Sequence, residues 1–153
     1  MKPLVRITLF CLLSLTASAA TPKGAVVQNF TVNGKEIKLT ILNQSEQPIN
    51  GYDVRIEETL PDGSQTFSEE TEDVGPRGKN LLAHESVVKT YDLGSEVTVV
   101  KPRIVVVIYS NGTAESEKKE TLDQILSVRQ KAVRDLKLTP DEIKTYVNVR
   151  RLP

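Results

Sequence analysis

Ile104-Val105-Val106-Val107-Ile108-Tyr109-Ser110-Asn111-Gly112-Thr113 is the stretch on which the fold turns. Its first five residues are β-branched, and such side chains suit a pleated strand better than a helix. No polar residue alternates with them, so the strand they form has to be central and covered on both faces. Asn111-Gly112 accepts positive φ at both corners of a type I′ turn, which predicts a hairpin and a short last strand through Glu115. Upstream, Lys101-Pro102-Arg103 separates this run from the apolar residues 97–100. Proline cannot donate to a ladder, so a bulge or strand switch is predicted there.

Further strands precede it, so that residues from about 25 to 116 read as a succession of strands. Ile37, Leu39 and Ile41 alternate with Glu36, Lys38 and Thr40, which gives a strand with one buried and one wet face. Tyr52, Val54 and Ile56 repeat the pattern against Asp53, Arg55 and Glu57. Between the two lies a turn-rich link, residues 43–51, bent at Pro48. Leu60-Pro61-Asp62-Gly63 reads as a tight hairpin turn. The strand returning from it, residues 64–72, has Phe67 as its only large apolar side chain, and its charges mark it as an edge strand. Residues 74–84 read as a long surface loop and residues 87–93 as another strand.

Beyond residue 116 the period changes. Leu122, Ile125, Leu126, Ala132, Val133 and Leu136 recur at helical spacing with charges between them. Thr139-Pro140-Asp141-Glu142 then starts a second helix, with a threonine cap, proline at the first helical position and a capping box closed by Glu142. Its inward residues are Ile143, Tyr146 and Val147. The bare second face of the central strand and this amphipathic tail meet one need, so the tail is predicted to pack on the sheet.

The N-terminus carries a secretory signature: Lys2 and Arg6, an apolar run over residues 7–15, and the small-residue site Ala17-Ser18-Ala19. The run is shorter than the ~20 residues that span a bilayer, and no later segment approaches that length. Cys11 is followed by Leu12-Leu13 within the apolar run, which argues against a lipid-attachment site. Cleavage leaves about 133 residues, one domain's length, with no cysteine for a disulfide. It also leaves two more acidic than basic side chains, a balance that does not point to nucleic acid. The sequons at Asn29, Asn43 and Asn111 are read as chance matches.

Little in the chain points to catalysis. His84 is the only histidine, it falls in the long loop, and no Gly-x-Ser-x-Gly elbow marks a nucleophile. One histidine and no mature cysteine cannot build a transition-metal site, and no cofactor motif is present. Gly75-Pro76-Arg77-Gly78-Lys79-Asn80 lacks the hydroxyl and the following helix of a phosphate loop. The hairpin is acidic: Glu57, Glu58, Asp62, Glu69, Glu70, Glu72 and Asp73. Such a cluster could hold calcium, but no Asp-x-Asp-x-Asp-Gly loop is present and a strand sends alternate carboxylates to opposite faces. It reads as a solvated edge hairpin. In the tail, Arg129, Lys131, Arg134, Lys137, Lys144, Arg150 and Arg151 outnumber the acids and read as the wet face of an ordinary helix.

The stretch from Leu39 to Ile56, with Asn43-Gln44-Ser45 and Pro48-Ile49 between its strands, resembles secreted bacterial immunoglobulin-like domains of the FxLYD-like and fibronectin-like kind. The stretch Val-Val-Val-Ile-Tyr-Ser-Asn-Gly-Thr-Ala-Glu, residues 105–115, resembles a hairpin near the end of such exported proteins. Together they cover about a quarter of the mature chain. The resemblance implies a sandwich architecture and brings no catalytic residues.

The expected protein is mainly β: an immunoglobulin-like antiparallel β-sandwich of about seven strands with one or two C-terminal helices packed on it. Residues 1–20 are its signal peptide, 21–116 the sandwich and 117–153 the helical extension. The expected role is that of a secreted or periplasmic, non-catalytic interaction module that binds another envelope or secreted protein. Its contact surface is expected at the seven hairpin carboxylates together with Arg77, Lys79, Leu81 and Leu82 in the following loop. Two alternatives stand beside it: a carboxylate-dependent hydrolase or glycan-active enzyme using Glu57 and Glu69, and a membrane-surface protein binding through its basic tail.

Overall fold

The structure, a computed structural model, describes residues 20–153. The expected signal peptide up to Ala19, with Cys11, lies outside the described residues. The chain is mainly β, two facing sheets with two helices at its C-terminal end. One sheet has the order β1 (Ala25–Asn33), β2 (Glu36–Asn43), β5 (Ser86–Asp92). The other runs β4 (Gln65–Asp73), β3 (Ile49–Thr59), β6 (Val99–Tyr109), β7 (Thr113–Ser116), β8 (Arg150–Arg151). All pairings are antiparallel except that of β8 with β7.

Alternation places the core where the sequence predicts it. Ile37, Leu39 and Ile41 of β2 face Tyr52, Val54 and Ile56 of β3 across the sandwich, all nearly sealed from water. At ~1.5–3 kcal/mol for each large apolar side chain buried, this layer is the main source of stability in a chain without disulfides. β6 is covered on both faces. Its Ile104 and Val107 join the core between the sheets, while Val105, Val106 and Ile108 pack under α1 (Lys119–Leu136) with Leu122 and Ile125.

The predicted break at Lys101-Pro102-Arg103 does not occur. β6 runs unbroken through Pro102, which pairs with Ile56, and the register shifts further on, opposite Asp53 and Val54. At Pro102 the strand has no β7 partner, because β7 reaches only from Val106 to Ile108, so a residue without an N–H sits at an open edge. The Leu60-Pro61-Asp62-Gly63 turn forms as read: Gly63 N donates to Leu60 O at 2.9 Å, and Gly63 takes φ +84°. α2 (Pro140–Tyr146) carries the predicted cap, with both halves of the box present. Beyond it the chain returns to the sheet as β8, a strand the sequence reading does not foresee. Among the described residues no helix is long and apolar enough to cross a membrane.

Candidate functional site: the acidic edge and the groove under the helix

Strand alternation divides the hairpin carboxylates between two surfaces. On β4, Glu70 and Glu72 lie opposite Val54 and Tyr52 and share the face turned toward the other sheet. Glu69, Thr71 and Asp73 lie opposite Arg55, Asp53 and Gly51 and share the face turned toward α1. Most of these charges are matched within the fold. Glu69 accepts from Arg55, whose guanidinium also stacks on the Phe67 ring at 4.7 Å. Glu72 accepts from Lys89 and from the Tyr91 hydroxyl at 3.2 Å, which ties the edge strand of one sheet to that of the other. Glu57 pairs with Arg103 at 3.3 Å, and Arg103 also reaches Glu117. Asp62 accepts from Ser64 N and Oγ in the turn, bonds that hold its pKa below the usual carboxylate range.

Two residues expected on this surface are buried instead. Glu58 is only 5% exposed because it belongs to the inward-facing set of β3, and Ser68 Oγ donates to it at 3.2 Å. Leu81 is 8% exposed because its backbone pairs with Ile49 in an isolated bridge that pulls it into the core, while Leu82 stays exposed. Arg77 reaches from the loop to Glu142 of α2, with bonds of 2.8 and 3.2 Å. That pairing, before the Thr139 cap bond, holds the pKa of Glu142 down to about 2. Lys79 pairs loosely with Glu85 at 3.4 Å. His84 lies exposed at φ +60° with Nε2 at 3.1 Å from Glu46.

The largest departure from the sequence reading is Arg129. Expected in solvent, it is completely buried. Its Nε and Nη2 donate to Asp73 Oδ2 and Oδ1 at 3.0 and 3.1 Å, Nη1 donates to Tyr146 O at 3.1 Å, and Nη2 also donates to Asn50 Oδ1 at 3.1 Å. The guanidinium lies 4.4 Å from the centre of the Tyr146 ring, whose hydroxyl donates to Asp73 Oδ2 at 2.9 Å. Burial, and then the Asp73 bond, pushes the pKa of Tyr146 up to about 12. One charged residue thus joins α1, α2, β3 and β4. Gly51 makes room for it: a Cβ there would stand 2.5 Å from Arg129 Nη2. The signal lies in the register of the helix, for position 129 continues the apolar series Leu122, Ile125, Leu126 toward Ala132 and Val133.

Between β4 and α1 runs a groove of about 430 Å³ lined by Asp53, Glu69, Thr71, Asp73, Thr121, Gln124, Ile125 and Val128. Asp53, expected on a wet face, is 2% exposed, set in the groove that it lines together with Thr121, Gln124, Ile125 and Val128 of α1. A second depression, about 330 Å³, opens at the hairpin end among Glu57, Thr66, Phe67, Val99 and Lys101. Among the described residues no group of three or more His, Cys, Asp or Glu is placed to hold a metal ion. Comparison with protein-family models, curated proteins and solved structures finds no match to this chain. The likeness to FxLYD-like domains therefore rests on the two quoted stretches alone.

Proposed function

We propose that this protein is a secreted or periplasmic, non-catalytic interaction module that binds another envelope or secreted protein through the β4 edge and the adjoining loop. The observation that carries this reading is the state of β4. It is the outermost strand of the five-stranded sheet, so one side of its backbone is unpaired, and Phe67 on it is 59% exposed beside the depression at the hairpin end. An open strand edge offers main-chain hydrogen bonds to an incoming segment, and an exposed aromatic offers an anchor. The strand order β1-β2-β5 facing β4-β3-β6-β7 supports the immunoglobulin-like reading, in which edges and loops meet partners.

The hydrolase reading draws less support. Glu57 and Glu69 are each taken up in an ion pair with an arginine of a neighbouring strand, Arg103 and Arg55 respectively, and so are already engaged within the fold. In-cell cross-linking and pull-down, with the native chain and with Phe67→Lys, tests the proposal. A partner captured by the native chain and lost with Phe67→Lys is expected. Recovery of the native chain alone at its natural abundance would overturn the reading.

A further inference from the structure

The groove between β4 and α1 contains one carboxylate that the fold leaves half-satisfied. Thr71 Oγ1 donates to Asp53 Oδ2 at 3.0 Å, whereas Oδ1 is buried without any hydrogen-bond partner. The charged groups around it come from the two strands. Removal from water is the largest influence on Asp53, and together with Glu69 and Glu70 it outweighs the Thr71 bond and Arg55 and pushes the pKa up to about 6. Asp73, the third carboxylate of the groove, is engaged by Arg129 and Tyr146. From α1 only Thr121, Gln124, Ile125 and Val128 face this space, none of them charged, and the β6 neighbour of Asp53 is Val106. At neutral pH the groove therefore holds a desolvated negative charge whose Oδ1 accepts nothing, and such a group is costly to leave unmatched.

We infer that this groove binds a primary ammonium group carried on an aliphatic chain. A compact ammonium presents three donors, one of which would satisfy Oδ1 and neutralise the charge. The aliphatic stem would lie along Ile125 and Val128, and Val128 is 65% exposed. The volume of about 430 Å³ falls within the ~300–1,000 Å³ usual for small-ligand sites. Oδ1 is shut off from water, so binding requires side chains lining the groove to shift far enough to admit the ammonium. The ammonium could belong to a lysine of a polypeptide or to a free aliphatic amine, and both offer the same chemistry to Asp53. This inference is separate from the interaction reading at the β4 edge, since it rests on Asp53 and the groove under α1 and not on Phe67 or the open strand edge.

The test is a titration of the isotope-labelled chain, followed by amide chemical shifts near pH 7.5, with n-pentylammonium and with Nα-acetyl-lysine amide. Saturable shifts at Asp53, Thr71, Gln124 and Val128 are expected with at least one of the two. The tighter binder identifies the source as small amine or polypeptide lysine. Asp53→Asn keeps the size of the side chain and an acceptor for Thr71, and should weaken binding at least about tenfold, or ~1.4 kcal/mol. Val128→Trp, at an exposed position, should block entry with the carboxylate intact. Binding should also weaken near pH 5, where Asp53 takes up a proton. The inference is overturned if neither probe saturates with a Kd below about 10 mM, if Asp53→Asn binds as well as the native chain, or if neutral N-pentylacetamide produces the same shifts.

Discussion

Arg129 and Asp53 both lie at the helix-facing side of the sheet, and they meet burial in opposite ways. Arg129 has a bidentate carboxylate, two further acceptors and an aromatic face, so four of its five N–H donors are matched and its lost hydration is largely replaced. Removing one member of such a set leaves the others uncompensated. Arg129→Ala should therefore lower unfolding stability by about 3 kcal/mol in a urea titration. A loss below about 0.5 kcal/mol, the size of an ordinary surface change, would contradict the geometry. Asp53 lacks such compensation. Its folded pKa of about 6 stands above the ordinary value of 3.8, so the folded chain holds its proton more tightly than the unfolded chain does. Stability from this residue is then present at low pH and declines as pH rises from about 4 through about 6. Asp53→Asn should stabilise the protein near pH 7.5 by about 1–3 kcal/mol and bring no gain near pH 4. Equal effects at both pH values in paired urea titrations would refute the assignment. A third residue, Asn43, has its side chain completely buried and donates to Gln47 O, Leu81 O and Leu82 O, so the sequon it heads is closed to a glycan in the folded chain.

At the scale of elements, local chemistry decides what was legible in the sequence. The Thr139 box can be read directly because both of its bonds join residues three apart. Thr139→Ala should cost about 1 kcal/mol and fray α2. The matching observation is faster amide exchange at Glu142 and Ile143 with β6 unchanged; slowed or unaltered exchange there would remove the cap from the account. The 104–108 run likewise announces its two covers, because an unbroken apolar strand has no face to leave in water. What could not be read depends on where elements meet. β8 is two residues long and has no pattern of its own; it exists because α2 returns the chain alongside β7. Pro102 looked like an interruption because sequence does not show that the strand beside it stops at Ser116. Asp53 and Leu81 are likewise buried by something far along the chain, whereas Glu58 follows the phase of its own strand, inward with Tyr52, Val54 and Ile56.

For the whole molecule, the account holds that tail and sandwich form one cooperative unit. The tail contributes Leu122 and Ile125 to the cover of β6, Arg129 to the polar cluster at the sheet, Glu142 to the loop through Arg77, and Leu152 to the core between the sheets. Elements tied at so many points should not open separately. A basic tail read residue by residue looks like solvent-facing surface, whereas Arg129 is its central attachment, and only its place in the apolar series hinted at this. Native-state hydrogen exchange in low urea tests the claim most directly. The account predicts that the amides of Ile125 and Leu126 in α1 open in the same event, with the same urea dependence, as those of Val106 and Val107 in β6. Exchange of the helix amides through a separate, low-energy opening that leaves β6 fully protected would contradict it.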